Sequence, residues 1–447
     1  MPAAGRRPPP PLAEPQLPGG TALFQGGGHE CVGRFLRDRG WEPETIEAVQ
    51  AVYRPERSLT VRFRAGARRA STGRREGFSL IVEARAEGPA ASPSEAPRHP
   101  TLLAEPVAVY DPYLVWAFPY DPSLPGLPTA ADGLAVRRRL SPRPGSVAVD
   151  PLRYRPRRRA VFRYRTFSSA SSGDTPGPPG TGVFYAKVLP PARARSALAV
   201  AGAIRGAGPT ASLHLALPVA EVARGAFLVP ALPGRCLREL LLEGSALPEP
   251  QRLARLPEDL ADLAGPGVGR LSPGAGTERG SRRHADPALA QQAAEVLGRL
   301  VPPLAGMALR IADAVSERAE GDPVAEGVVH GDLYESQVFV QPDQRLGLVD
   351  LDDLGPGDPA LDAANFCAHL IVLAAAAKPA AGRVLSYREG LRAAFLERLG
   401  VKHRSLAWRE AYAMLLLASG PFRVLQPDWP GGVAARLGQA ERLLDDC

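Results

Sequence analysis

The feature that most constrains the fold of this 447-residue chain is a change of pattern near residue 231. Before this point, several short runs alternate apolar and polar residues, which is typical of half-buried strands. Beyond it, apolar residues recur at helical spacing. A strand-rich part followed by a helical part indicates an α+β protein. We therefore predict two lobes, the first rich in strands and the second helical, with a hinge between them.

A repeat is visible within the strand-rich part. The stretch YRPERSLTVRFRA at residues 53–65 and the stretch YRPRRRAVFRYRT at residues 154–166 share Tyr-Arg-Pro, an Arg at the fifth place and a later Arg-aromatic-Arg. Each precedes another strand-like run, GFSLIVEARAE at 77–87 and GVFYAKVLP at 182–190. Polar linkers between such runs suit hairpin connections. We interpret the repeat as two related β-hairpins, with chance similarity as the alternative.

Changes in composition divide the chain further. A Pro/Gly-rich tail at residues 1–28 is predicted to be disordered. Residues 29–140 are predicted to form an N-terminal extension that opens with a helical pattern from Cys31 to Val52. Residues 141–230 then form the strand-rich lobe, and residues 231–447 the helical lobe.

Helix signals are clear in the second lobe. Asp286 and Pro287 predict an N-cap pair at the start of one long helix that continues to about Glu320. It follows a Gly/Ser/Arg-rich loop at residues 265–284. Later helices are predicted near residues 360–377, 386–399, 405–418 and 432–445.

Charge and cysteine content exclude several classes of protein. The chain carries 54 Lys plus Arg against 47 Asp plus Glu, a net charge of +7, but its Arg residues are scattered. No basic stripe is interleaved with aromatic residues, so we predict no nucleic-acid partner. The four Cys form no CxxC pair, which argues against a zinc site or a disulfide framework.

The sequence also gives no signal for a membrane protein. The run from Phe366 to Ala377 is too short to span a bilayer and contains His369, and the start of the chain shows no secretory h-region. We therefore predict a cytoplasmic protein with no membrane partner. The oligomeric state is left open.

The stretch VVHGDLYESQVFV at residues 328–340 places a Gly-Asp turn between two apolar runs. Asp332 is a candidate for orienting a substrate hydroxyl and accepting its proton, and His330 for locking the loop by hydrogen bonding. Gln337 follows five residues later, and Asp350 ends the next apolar strand in LGLVDLDD. Carboxylate and amide oxygens placed in this way can hold Mg²⁺. The alternative is a surface turn beside an ordinary strand end.

Lys187 stands out in the apolar strand VFYAKVL because only Lys378 and Lys402 accompany it in the whole chain. A compact ammonium can bind nucleotide phosphates as a point charge. The alternative is a strand lysine that extends its charge to solvent. A phosphate-binding cation, metal ligands and a carboxylate that aims the nucleophile together indicate phosphoryl transfer.

Four segments resemble a known family: YAKVL, FLVPALPGRCLREL, VVHGDLYESQVFV and LGLVDLDDLGPGDPALDAANF. They are similar to the aminoglycoside phosphotransferase-like, or choline-kinase-like, family, which comprises small-molecule kinases with the protein-kinase-like fold. The resemblance runs from about residue 150 to the end of the chain. It implies that Asp332 is the catalytic aspartate, that Gln337 and Asp350 are the metal ligands, and that Lys187 binds the α- and β-phosphates.

The resemblance also implies roles outside the catalytic loop. Val229, Ala231 and Leu232 would form the hinge that meets the adenine, and Asp362 would receive backbone N–H groups of the catalytic loop as its structural support. The cofactors would be ATP or GTP together with Mg²⁺.

The sequence departs from the family pattern in several places. Gln337 stands where the family usually has Asn, and no GxGxxG covers the phosphates, since the corresponding loop near 153–160 is rich in Arg. The helix after Lys187 contains no Asp or Glu, so the acid partner of this lysine is absent or comes from elsewhere, such as Glu221.

The N-terminal extension exceeds a minimal kinase and is reminiscent of maltokinase-like members. Its hairpin has Val82 or Glu83 near the place of Lys187, so this copy is not expected to bind phosphate.

These features predict a kinase that transfers the γ-phosphate of ATP or GTP to a hydroxyl of a small polar substrate, sugar-like or aminoglycoside-like. The alternative is a nucleotide-binding pseudokinase or regulatory binding protein without catalysis, which the change to Gln337 and the missing acid favour slightly.

Overall fold

The computed structural model describes residues 17–88, 105–140, 144–167, 182–207, 212–263, 283–322 and 326–446. Within these residues, strands dominate the first half and helices the second, which confirms the predicted α+β fold. Most of the predicted loop at 265–284 and of the linker between residues 166 and 182 lies outside the described residues.

An antiparallel sheet forms the N-terminal extension. In the described part of the chain it has the strand order β1-β2-β3-β5-β4. The strands are β1 (Trp41–Arg54), β2 (Ser58–Arg69), β3 (Arg75–Arg85), β4 (Val107–Tyr110) and β5 (Tyr113–Ala117). The helix α1 (Gly28–Arg37) precedes the sheet and buries Val32, Phe35 and Leu36 against its core.

A second antiparallel sheet forms the strand-rich lobe. Its order among the described residues is β6-β7-β8-β11-β10. The short helices α2 (Leu127–Ala130) and α3 (Gly133–Arg137) connect the two sheets, and α4 (Pro191–Ala207) follows β8. The strands are β6 (Ser146–Arg155), β7 (Arg159–Phe167), β8 (Val183–Val188), β10 (Ala220–Ala223) and β11 (Ala226–Pro230); β9 (Leu213–Leu215) pairs outside this sheet.

The two sheets have the same topology, strand for strand, and every pair of neighbours within each is antiparallel. The β1–β2 and β6–β7 turns also match, because Glu56 and Arg157 take the same left-handed conformation, with φ of 58° and 59°. The repeat therefore extends beyond a hairpin to the whole sheet. Tyr-Arg-Pro lies at the end of β1 and of β6 and leads into the turn, rather than starting a strand.

Three expectations from the sequence are corrected. Residues 41–52, predicted as helix, belong to β1, because pairing with β2 along its whole length outweighs local helix propensity. Residues 17–28, predicted as part of a disordered tail, form short helical turns that bury Leu17 and Leu23. The helix predicted from Asp286 to Glu320 is two helices, since Pro302 and Pro303 cannot donate backbone hydrogen bonds.

The helical lobe continues from a small mixed region. The strands β12 (Arg235–Cys236), β14 (Val338–Val340), β15 (Leu346–Leu348) and β9 form one sheet, while β13 (Gly327–Val329) pairs with β16 (Gly355–Gly357). The remaining helices are α5 (Leu237–Glu243), α6 (Pro250–Ala254), α7 (Leu256–Ala261), α8 (Pro287–Leu300), α9 (Ala305–Gly321), α10 (Pro359–Ala376), α11 (Ala381–Leu399), α12 (His403–Leu417), α13 (Gly420–Arg423) and α14 (Trp429–Asp445).

One helix of the described chain, α10, is long and apolar enough to cross a membrane by length and composition alone. Of its apolar window, 61% is buried inside the protein, which is typical of the core helix of a globular protein. Phe366, Cys367 and Leu370 are among the side chains that it buries in the helical lobe.

The first sheet is buried on both faces. Ile81 of β3 packs with Trp116, Phe162 and the second sheet. Leu80 and its neighbours face α1, in a hydrophobic core that continues into α8, α9, α12 and α14 of the helical lobe. The N-terminal extension therefore packs against both lobes.

A buried ion pair holds the start of α10. Arg409 is 1% exposed, and its Nε donates to the Asp358 carboxylate at 2.6 Å while Nη1 donates to Asp322 at 2.5 Å. Asp358 in turn caps α10 by accepting the Ala360 N–H at 2.9 Å.

Arg409→Met is expected to destabilise the protein by about 3–5 kcal/mol, because it leaves the buried Asp358 charge without a partner. The control Arg398→Met removes a pair with Glu258 in which both side chains are partly exposed, at 35% and 50%, and should leave the stability nearly unchanged. Urea unfolding of both variants measures the difference. Equal midpoints would show that Arg409 does not anchor this helix.

Candidate active site

The loop between β13 and β14 is held in place by backbone hydrogen bonds. The N–H groups of His330 and Gly331 donate to the two carboxylate oxygens of Asp362, at 2.6 and 3.0 Å. Gly331 has a φ of 82°, and a Cβ there would lie 2.7 Å from the Asp353 carbonyl oxygen, so the turn requires glycine. The His330 Nε2–H donates to the Val349 carbonyl at 2.9 Å.

The helix α10 carries the groups that receive this loop. Burial raises the pKa of Asp362 to about 6, although His330 and the two N–H donors act in the opposite direction. One turn later, the Asn365 side chain donates to the Leu333 carbonyl at 2.8 Å. Since both oxygens of Asp362 are engaged by the backbone, its observed contacts are those of a loop anchor.

Asp332 follows this anchored turn and is partly exposed. Its N–H lies 3.4 Å from His330 Nδ1, which complements the donating Nε2 of the same ring. Two residues later, Tyr334 stacks on His369 with ring centroids 4.2 Å apart. Glu335 is buried and paired with Arg238 at 2.8 Å, so it braces the loop against α5.

Asp350 lies two residues after the end of β15, in a left-handed conformation with φ of 64°. Its carboxylate contacts the Lys187 ammonium, accepts from Arg159 Nη1 at 3.1 Å, and lies 3.3 Å from the side-chain amide of Gln337. Burial alone would raise the pKa of Asp350, but Lys187 and Arg159 hold it below its ordinary value. Three of the predicted site residues, Lys187, Gln337 and Asp350, are thus brought together.

The acid partner of Lys187 comes from this same segment. The Lys187 ammonium contacts Asp352 as well as Asp350, and the two carboxylates raise its pKa against the opposing effect of burial. Burial raises the pKa of Asp352. Glu221, the alternative partner considered from the sequence, instead accepts the Gly225 N–H at 3.3 Å.

The helix α4, which follows Lys187, contributes a cation rather than an acid. Arg193 donates to both oxygens of Asp353, at 3.2 and 3.3 Å. An ion pair therefore joins this helix to the segment after β15. In kinases the corresponding helix contributes a glutamate to a pair with lysine, whereas here the helix contributes the cation.

A small cleft, open to solvent, lies beside these groups. Lys187 and Asp350 line its polar end, and Val200, Phe227 and Val229 line its apolar side. Of the predicted hinge residues, Val229 faces the cleft, while Ala231 and Leu232 follow β11 beyond the lining residues. The hinge ends at Gly234, whose φ is 91° and where a Cβ would collide with the Val340 carbonyl oxygen.

Sequence reasoning missed Asp352 as a partner of Lys187, and it missed Arg159. The repeat contained a signal for Arg159. The second copy has an arginine at this position, whereas the first copy, which lacks the phosphate-binding lysine, has Ser58. The strand registers also show that Glu83 takes the place of Lys187, since Thr60 pairs with Glu83 as Val161 pairs with Lys187.

The donor set around Asp350 has the chemistry that suits a hard divalent cation. Carboxylate and amide oxygens are the preferred ligands of Mg²⁺. The Gln337 amide nitrogen donates to the Asp350 carboxylate at 3.3 Å, so the amide oxygen of the same group would face a metal after the amide turns over. Among the described residues, no group of three or more His, Cys, Asp or Glu is arranged to hold a metal. A metal here would therefore depend on Gln337 or on a bound ligand for further oxygens.

Comparisons with known structures gave distant similarities. A crystal structure of aminoglycoside phosphotransferase APH(4)-Ia matches at 11% identity with a TM-score of 0.40, over 67% of this chain and 94% of that chain. The Streptomyces rimosus APH(3'')-Id matches at 17% and 0.37, over 60% and 92%. A Plasmodium vivax ethanolamine kinase matches at 10% and 0.41, over 66% and 81%.

No curated protein matches the sequence. The model of the phosphotransferase enzyme family, APH, matches residues 180–408, which is slightly more than half of the chain and includes Lys187, the catalytic-loop candidate and α10. The chain therefore belongs to the APH phosphotransferase enzyme family.

Proposed function

We propose that this phosphotransferase is a small-molecule kinase that transfers the γ-phosphate of ATP or GTP to a hydroxyl of a small polar substrate, sugar-like or aminoglycoside-like. The observation that carries the proposal is the convergence of Lys187, Asp350 and Gln337 beside a loop that presents Asp332. Phosphoryl transfer requires positioned charges more than covalent chemistry, and this arrangement supplies them.

In this mechanism Asp332 orients the acceptor hydroxyl and takes its proton as the phosphoryl group is transferred. Its position is set by the two hydrogen bonds from the loop to Asp362 and by His330, which holds the loop against Val349. The acceptor hydroxyl would lie on the solvent side of Asp332, near the Tyr334–His369 stack. A flat aromatic surface of this kind suits the apolar face of a sugar ring.

Lys187 is proposed to bind the α- and β-phosphates, after exchanging part of its contact with Asp350 for the nucleotide. Asp350 and Gln337 are the residues that would hold Mg²⁺, with Asp352 beside them. The metal would neutralise charge on the phosphate oxygens. Val229, with Ala231 and Leu232 following it, is proposed to meet the nucleotide base at the hinge.

Thermal-shift titrations with ATP and with GTP, each with and without Mg²⁺, test nucleotide binding. A ligand at a hundred times its dissociation constant stabilises the folded state by about 2.7 kcal/mol, which gives a readily measured rise in Tm. We expect the rise for at least one nucleotide and expect it to be larger with Mg²⁺. No response to either nucleotide would contradict the proposal.

The second candidate is a nucleotide-binding pseudokinase. It is favoured by the contacts of Asp350, whose carboxylate is already occupied by Lys187 and Arg159. The two candidates separate in a phosphorylation screen of sugars and aminoglycosides with the purified protein. Acceptor-dependent release of ADP or GDP supports the kinase, whereas binding without turnover on any acceptor supports the pseudokinase.

A further inference from the structure

We propose that Arg155 and Arg159, which face each other across the β6–β7 hairpin, bind the terminal phosphates of the nucleotide donor in place of a glycine-rich loop. This inference rests on the proposed kinase function and assigns two residues to the donor site. The hairpin corresponds to the loop in which the sequence has arginines instead of a GxGxxG.

The pairing of the two arginines is the first observation. They are direct partners in the antiparallel register, so both side chains stand on one face of the hairpin. Like charges directly opposite each other destabilise a strand pair. Burial, followed by the charges of Arg159 and Arg153, lowers the pKa of Arg155 to about 10. Asp350 compensates the charge of Arg159 and raises its pKa against the effect of burial, whereas Arg155 has no such partner, so an anion between the two would stabilise the pair.

The donors left over at this pair are the second observation. Arg159 Nη1 donates to Asp350, but Arg159 Nε is buried and has no hydrogen-bond partner among the described atoms. Arg155 has no ion pair within 4.0 Å in the same part of the chain, and the carboxylate of Asp332 acts on it only at longer range. A phosphate offers oxygens to both guanidinium groups at once.

The location of the pair is the third observation. Arg159 contacts Asp350, the proposed metal ligand, while the charge of Asp332 acts on both arginines. A phosphoryl group that travels from the nucleotide to an acceptor at Asp332 passes between these two carboxylates. The arginines therefore stand over the transferred group, where negative charge must be neutralised during the reaction.

The hairpin is held rigid by the N-terminal extension. The turn residue Arg157 donates through Nε and Nη2 to Glu83 at 2.7 and 2.5 Å, and its N–H donates to Asp121 at 2.8 Å. Glu83 is 2% exposed and occupies the position that corresponds to Lys187 in the other sheet. Glu83, which stands in the first sheet where Lys187 stands in the second, thus anchors the proposed phosphate-binding hairpin of the second sheet.

The first sheet also supplies a matched control. Its hairpin has Arg54 where the second has Arg155, but Ser58 where the second has Arg159. Arg54 therefore shares the local backbone of Arg155 without the opposing arginine or the catalytic loop.

Isothermal titration of Arg155→Met, Arg159→Met and Arg54→Met with AMP-PNP and with adenosine, all with Mg²⁺, tests the proposal. We expect each active-site variant to lose about tenfold or more in affinity for AMP-PNP and to keep its affinity for adenosine. Arg54→Met should match the wild type with both ligands. Arg155→Met should also melt at the same or a higher temperature without ligand, because it removes the repulsion from Arg159.

Two outcomes would overturn the inference while the proposed function stands. Unchanged AMP-PNP affinity, together with a raised KM for the acceptor, would assign the arginines to an anionic acceptor. Equal losses for AMP-PNP and adenosine, with a lowered Tm, would assign them a structural role. If the wild type binds neither AMP-PNP nor adenosine, the proposed function itself fails, and the variants are not needed to show it.

Discussion

Asp332→Asn is expected to lower kcat by about 10²–10⁴-fold while nucleotide affinity stays unchanged. Asn has nearly the shape of Asp, but its amide cannot accept the proton of the acceptor hydroxyl, and general-base catalysis contributes a factor of this size. Asp332 does not line the cleft that Lys187 and Val229 share, so nucleotide binding should persist. Steady-state kinetics with an identified acceptor, combined with a nucleotide titration, measures both quantities.

Asp343→Asn is a suitable control for this variant. Asp343 lies in the exposed turn between β14 and β15, where it pairs only with the nearby Arg345 in the described contacts. The substitution makes the same chemical change, Asp to Asn, in the turn between β14 and β15 and should leave kcat unchanged. If Asp332→Asn turns over like Asp343→Asn, the assignment of Asp332 as the catalytic base is wrong.

Asp350→Asn is expected to abolish the Mg²⁺-dependent part of nucleotide stabilisation and to lower kcat/KM by at least about a hundredfold. Asn tolerates the left-handed backbone that Asp350 adopts at φ of 64°, so the substitution changes charge more than conformation. Lys187 keeps Asp352 as a partner, which preserves the local structure. The expected effect follows from loss of the one carboxylate that also contacts Gln337 and Arg159.

The measurement is a pair of thermal-shift titrations with ATP, one with Mg²⁺ and one with EDTA. Wild-type protein should show a larger shift with Mg²⁺, while Asp350→Asn should show the same shift in both. Asp353→Asn separates metal binding from general charge loss, because Asp353 pairs with Arg193 and not with Lys187 among the described ion pairs. If Mg²⁺ still increases the thermal shift of Asp350→Asn, Asp350 is not the metal ligand, and other residues hold the metal.

Much of the fold was predictable because it depends on local pattern. Period-two runs before the hinge and helical periodicity after it are properties of short segments, and both were confirmed. Asp286 caps α8 as expected, since its carboxylate accepts the Ala288 N–H at 2.9 Å. The helices predicted after residue 360 also form. Family membership followed from short motifs, and the match over residues 180–408 confirmed it.

The errors arose where tertiary pairing competes with local preference. Residues 41–52 contain several good helix formers, yet they form β1 because β2 offers a full ladder of partners. The long helix was overextended because its apolar spacing continues across Pro302 and Pro303. The repeat was recognised only as a hairpin, since β4 and β5 share no evident sequence pattern with β10 and β11.

The sequence by itself determined the succession of strands and helices, the family, and the spacing that places Asp332, Gln337 and Asp350 on neighbouring connections. Only the tertiary structure decided which charges meet. Lys187 forms an ion pair with Asp352, 165 residues away in the sequence, and Glu83 of the extension forms one with Arg157, 74 residues away. Periodicity and motif spacing report on neighbours along the chain, whereas an ion pair between distant segments depends on how the sheets and helices pack.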